Sequence, residues 1–158
     1  MTFYLLKLAL TVHIAGLTIA GGLSLANFLV LQKFRKVYFS NEQRALVILE
    51  GNAKLPGIAN IGIVISVISG IAMMILTDGV FMKQLWFEIK LGLLIIIILN
   101  IIWRSSLKTK LKKDFIENRA EATMKIRIVE LTNLISVSVL MQLILFLSIF
   151  FLAAFRFN

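Results

Sequence analysis

Between residues 3 and 31 the chain runs through 29 residues in which Lys7 is the only fixed charge and His13 the only other ionisable side chain of ordinary pKa near neutrality, Tyr4 aside. About 20 apolar residues wound as a helix cross a bilayer, so this stretch spans one with length to spare. A cleaved leader would start basic and carry an apolar run about half as long. Residues 1–6 carry no charge, so the segment is expected to be retained. His13 then sits at membrane depth, where an ionisable group is costly and marks a candidate site.

On a helix, His13 shares a narrow stripe with Ala9, Gly16, Ala20, Ser24 and Asn27. Apart from His13 and Asn27 every member is small, which lets another helix or a flat cofactor approach closely. Two readings follow. In one, the stripe packs against a neighbouring helix and His13 hydrogen-bonds a carbonyl there. In the other, it is a ligand-binding face on which His13 touches a metal or substrate.

Hydrophobic residues make up 59% of the chain, and its mean hydropathy is +0.95, well outside the range of a soluble domain. The 158 residues suit a single domain. With no cysteine, disulfides, CxxC redox motifs and thiolate metal sites are excluded. A single histidine excludes any two-histidine site within one chain, so a bis-histidine haem would need two copies.

Four spans are expected, at about residues 3–31, 57–77, 85–103 and 129–155, and helices satisfy their own backbone groups in lipid. The connection 32–55 holds five basic residues, and 104–127 holds eight, against Lys83 alone in 78–84. By the positive-inside rule the two basic loops are cytoplasmic and both termini lie outside. The net charge of +9 is thereby largely explained as orientation and attraction to anionic headgroups. The basic loops lack interleaved aromatic residues, so no nucleic-acid partner is expected. In the first loop Ser40 reads as an N-cap with Gln43 at N3, a capping box opening a short helix to about Glu50 that Gly51-Asn52 closes. Pro56 suits the first turn of span two. In the second loop Leu107, Leu111 and Phe115 prolong the helical stripe of span three, so spans three and four extend as a paired stalk that turns near Asn118.

Gly62, Ser66 and Gly70 form a small-residue ladder on span two, either a packing face or a wall of a cofactor slot. Asn60, Asn100 and Gln142 are expected to hydrogen-bond between helices, and Asn133 to reach the interface.

Lys90 is the second costly residue, about 9 Å inside span three at about 1.5 Å per residue. His13 enters from the same side to a matching depth, so spans one and three as antiparallel neighbours would bring the two together. A lysine at the centre of a bilayer costs about 2.5–3.5 kcal/mol, so it needs a partner or gives up its proton. Glu88 is two residues away, on another face of the helix. No other carboxylate is placed to pair with Lys90. The remaining readings are an anionic ligand, a neutral amine acting as ligand or base, and snorkelling to the outer interface. Trp86, one turn before Lys90, is either an interfacial anchor or a surface on which a flat ring stacks. Met73 and Met74 are either filler or thioether donors. Hydrolase triads, phosphate loops, paired catalytic carboxylates and zinc sites are all missing from the sequence.

His13 followed by Gly16 in a leucine-rich first span, with Trp86-Phe87-Glu88-Ile89-Lys90-Leu91 opening the third, resembles the HemJ-type membrane protoporphyrinogen oxidases. It also resembles the small, mostly uncharacterised membrane proteins related to them. The likeness covers most of residues 5–103 in spacing. It implies a b-type haem, with His13 and Lys90 as the residues tied to the haem and to activity, and with His13 as the metal ligand. Gly16, Trp86, His13 and Lys90 are then the cofactor-binding residues, and Lys90 ligates iron, neutralises a propionate or moves a proton. Residues 31–35 and 100–103 depart from the family's pattern, so the resemblance implies a haem or porphyrin site more than the porphyrinogen-oxidising reaction itself.

The expectation is therefore an all-α, four-helix integral membrane bundle with both termini outside and helical extensions on its cytoplasmic basic loops. Its expected home is a bacterial inner membrane, and its expected function is that of a haem- or porphyrin-binding oxidoreductase. The alternative is a non-enzymatic accessory subunit whose small-residue faces pack against a larger membrane complex and whose basic stalk binds a cytoplasmic partner; the expected partners are the anionic bilayer and either a second copy or a membrane complex.

Overall fold

The computed structural model describes residues 2–117 and 122–154. Among these the chain is all helical: α1 (Thr2–Tyr38), α2 (Glu42–Gly51), α3 (Leu55–Leu76), α4 (Leu85–Glu117) and α5 (Ala122–Ala154), with a 3-10 turn at Val80–Lys83. Four stretches, Thr2–Tyr38, Glu42–Leu76, Leu85–Leu111 and Lys125–Ala153, are long and apolar enough to cross a membrane. Each overlaps one expected span: α3 ends at Leu76, one residue early with Thr77 as its cap, while α1, α4 and α5 extend past the expected bounds on their basic sides because polar residues there still form helix once clear of the apolar run. The expected turn at Asn118 and the side chain of Phe115 lie outside the described residues.

The local signals that set the ends are visible. Asn41, not Ser40, caps α2: its side chain accepts from Arg44 N at 2.9 Å, while the Ser40 hydroxyl donates back to Val37 O at 3.0 Å. The cap falls one residue later than the capping-box spacing indicates, because Ser40 is still closing the end of α1. Asn52 closes α2, and Pro56 lies in the first turn of α3. At the far end of α3, Asp78 and Gly79 adopt positive φ of 51° and 68°. Gly79 N then reaches Met74 O at 3.0 Å and Asp78 N reaches Ile75 O at 3.2 Å, so the last carbonyls are satisfied as the chain turns out of the helix.

Packing follows the small-residue stripe. On α1 the buried residues are Gly16, Ala20, Ser24, Asn27, Leu31, Phe34 and Tyr38, spaced by three or four as one helical face requires. The outer part of that face lies against α3. A Cβ on Gly16 would meet Gly62 O at 2.8 Å, and one on Gly62 would meet Gly16 O at 2.7 Å. The two backbones are in contact, which only paired glycines permit.

Further along, α1 packs on α5, and α5 on α4, whereas α1 and α3 barely approach α4. Spans one and three are thus not the direct neighbours expected, because α5 lies between them at the backbone level. Towards the basic end, Leu31, Phe34 and Tyr38 of α1 join Leu107, Leu111, Ile128, Leu131, Ile135 and Val139 in one core. A second core places Ala20, Ile63, Ile97, Phe146 and Ile149 nearer the other end.

Polar pairs stitch the helices between these layers. Asn100 Nδ2 donates to Ser138 O at 2.9 Å, and Ser138 Oγ donates to Asn100 Oδ1 at 2.8 Å. Asn52 Nδ2 donates to Asn27 Oδ1 at 2.6 Å, and Gln142 Nε2 lies 3.5 Å from Ser24 Oγ. Asn133 is exposed, as expected. Asn60 departs from expectation, since its Oδ1 is buried with no partner. The outward faces carry Leu29, Ile61, Ile68, Ile75, Leu99, Ile102 and Leu147, all exposed, as side chains turned towards lipid would be.

Candidate functional site

Because α3 and α4 diverge, a cavity of about 620 Å³ opens among α1, α3, α4 and α5 at the end away from the basic loops. Its size falls within the range of small-molecule pockets. The second apolar core forms one end, through Ile63, Ile97, Phe146 and Ile149, and aromatic walls come from Trp86, Phe87 and Phe150. His13 and Lys90 both line it, and Lys90 is within electrostatic reach of the imidazole.

His13 is held from α3. Its Nδ1 lies 2.7 Å from Ser66 O, with Ser66 Oγ at 3.2 Å and Ser69 Oγ at 3.3 Å. A carbonyl can only accept, so Nδ1 carries the proton and Nε2 presents a lone pair in the neutral ring. That Nε2 is buried and meets no partner among the described residues. An imidazole fixed through one nitrogen to a backbone carbonyl, with the other left free, has the orientation that metal-ligating histidines use. Since Nε2 is covered, a ligand atom reaches it only if a neighbouring side chain gives way.

Lys90 enters from α4 and makes no hydrogen bond or ion pair among the described residues, and no carboxylate lines the cavity. Glu88 is exposed and stays outside it. The cavity thus offers one cation, one lone-pair donor and a largely apolar wall. Trp86 is 9% exposed and turned inward, with Nε1 donating to Gln84 Oε1 at 2.5 Å. It is part of the wall and does not stand outside as a lipid-facing anchor.

The structure therefore brings His13, Trp86 and Lys90 to one cavity and leaves Gly16 out of it. Gly16 is buried in the α1–α3 seam, one turn from His13, where the carbonyl of Gly62 occupies the space beside it. The ladder on α3 divides the two roles weighed for it. Gly62 packs against α1, while Ser66 and Gly70 line the cavity, and a Cβ on Gly70 would sit 3.4 Å from His13 Cε1. Met73 and Met74 line it too.

Sequence reasoning missed the carbonyl of Ser66, which no residue type can signal, and the wall from α5. Phe146, Ile149 and Phe150 look like any other apolar residues of a span. Comparison with protein-family models, curated proteins and solved structures returned no significant match.

The donor set narrows what the cavity can hold. Among the described residues no three His, Cys, Asp or Glu side chains cluster, so a bare metal ion has no cage here. A metal carried by a macrocycle brings most of its own ligands, and a single imidazole would be enough to hold it. The lining suits such a group: an Nε2 that has no hydrogen-bond partner among the described residues and is reached once a neighbouring side chain gives way, aromatic and aliphatic walls, and an ammonium that no described carboxylate faces.

Proposed function

We propose that the chain is a multi-pass membrane protein that holds a haem or porphyrin in the cavity among α1, α3, α4 and α5 and acts as a haem-dependent oxidoreductase. The observation that carries this reading is the state of His13: Nδ1–H is tied to Ser66 O, and neither Nε2 nor Lys90, which shares the cavity, has a partner among the described residues. His13 would hold the metal through Nε2, and Lys90 would neutralise a carboxylate arm that would otherwise be buried uncompensated. Trp86 and Phe150 would give the ring an apolar wall and keep water away. When bound, the macrocycle supplies one-electron chemistry that no side chain here can perform.

The likeness to the HemJ-type oxidases supports the same reading, with His13 and Lys90 in the corresponding roles. On this reading α2 and the α4–α5 extension face the cytoplasm and both termini lie outside, in a bacterial inner membrane; the excess of basic residues in the two loops supports that orientation. The Gly16 and Gly62 faces, which the accessory-subunit alternative would offer to a partner, pack on each other.

The test is the visible spectrum of the gently solubilised protein made in cells supplied with haem. A Soret band is expected in the wild type and none in His13→Ala. A wild type without a Soret band removes the proposal.

A further inference from the structure

The buried stripe of α4 reads Ile97, Asn100, Arg104, Leu107, Leu111. This spacing of three and four forms the seam against α5. Three of the five residues are apolar, and Asn100 is satisfied by Ser138. Arg104 is the exception. It is 4% exposed, yet among the described residues it forms neither a hydrogen bond nor an ion pair. Snorkelling does not account for it, because a snorkelling side chain keeps its charged head in water.

The neighbours add positive charge instead of cancelling it. Lys108, one turn further along α4, is half-buried, close enough to Arg104 for mutual repulsion, and also without a partner among the described residues. On α1, Arg35 Nε is buried and unpartnered. The Gln32–Ser136 and Asn100–Ser138 pairs put Arg35 and Arg104 within about one helical turn of the same level. Nearby carboxylates are engaged or turned away: Glu42 pairs with Lys125 at 2.9 Å, and Glu130 is exposed. A buried guanidinium beside a second cation, with no anion supplied by the described residues, is a half-site.

Its depth indicates the missing half. Arg104 is the first residue after the uncharged run that ends at Trp103, which is where the hydrocarbon gives way to headgroups. The guanidinium fork matches phosphate oxygens two at a time, and basic pockets between membrane helices take up acidic headgroups. We propose that Arg104, assisted by Lys108, binds phosphate at the α4–α5 seam, and that the phosphate is the headgroup of an acidic phospholipid. This site is separate from the His13 cavity and stands whether or not that cavity holds haem.

Thermal unfolding of the full chain in mild detergent tests it, with added phosphatidylglycerol, phosphatidylcholine or inorganic phosphate. Phosphatidylglycerol is expected to raise Tm, phosphatidylcholine to raise it far less, and Arg104→Leu to weaken the phosphatidylglycerol effect by about tenfold or more in apparent affinity. Leucine suits the apolar seam, so this variant should fold. Lys110→Gln, which changes an exposed cation on the same helix, should behave as wild type. An equal phosphatidylglycerol response in wild type and Arg104→Leu, or none in wild type, overturns the site. A response to inorganic phosphate as strong as that to lipid, and lost in Arg104→Leu, keeps the phosphate site but overturns the lipid as its source.

Discussion

Lys90 is costly where it sits, and its value depends on what it faces. If it serves as counter-charge to an acidic arm, Lys90→Met should weaken haem binding by about tenfold, the scale of one charge-assisted contact of about 1.4 kcal/mol. The dimethyl ester of haem should bind wild type and Lys90→Met equally well, since the ester has no charge to neutralise. Parallel titrations followed by absorbance would show this, and an ester that still discriminates between the two would mean that Lys90 acts otherwise. His13 and Lys90 were both legible in the sequence, because a titratable group in an apolar run stands out by cost alone. The tautomer of His13 was not legible, since it is set by a backbone carbonyl 53 residues away.

Among the elements, the α1–α3 pair rests on close backbone contact. Gly62→Leu would drive a side chain into Gly16 O, which a Cβ alone already meets at 2.7 Å. Overpacking of this kind costs about 1–3 kcal/mol or more, and backbone has no rotamer with which to yield. The expected outcome is a clear fall in Tm together with loss of ligand binding, because α3 carries Ser66. Gly92→Ala, with nothing within 4 Å of the added Cβ, should fold as wild type. The small-residue periodicity was plain in the sequence, and so was the existence of four spans. Which spans touch was not. Similar apolar faces do not specify a partner, and α5 intervenes at the backbone level between α1 and α4 through contacts, such as Gln142 with Ser24, that link residues 118 positions apart.

For the whole molecule, the proposed orientation rests on the contrast between the basic loops and the link after α3, whose Asp78 and Lys83 leave it without net charge. The chain has no cysteine, so single cysteines report location without background. In intact spheroplasts a membrane-impermeant maleimide should label Val80→Cys and leave Gly51→Cys unlabelled until the membrane is opened; both positions are exposed. The reverse pattern would invert the topology. Four diverging helices can enclose a cavity only where one pair fails to close, and no periodicity announces that failure, so the cavity emerges only at this scale. Its central claim is that the His13 imidazole is the donor inside it. Imidazole rescue tests that claim most directly: haem is titrated into wild type and into His13→Ala, with and without free imidazole, and the Soret band is followed. The account predicts a band in wild type, its loss in His13→Ala and its return when imidazole is added. Identical haem binding by wild type and His13→Ala, with no response to imidazole, would contradict it.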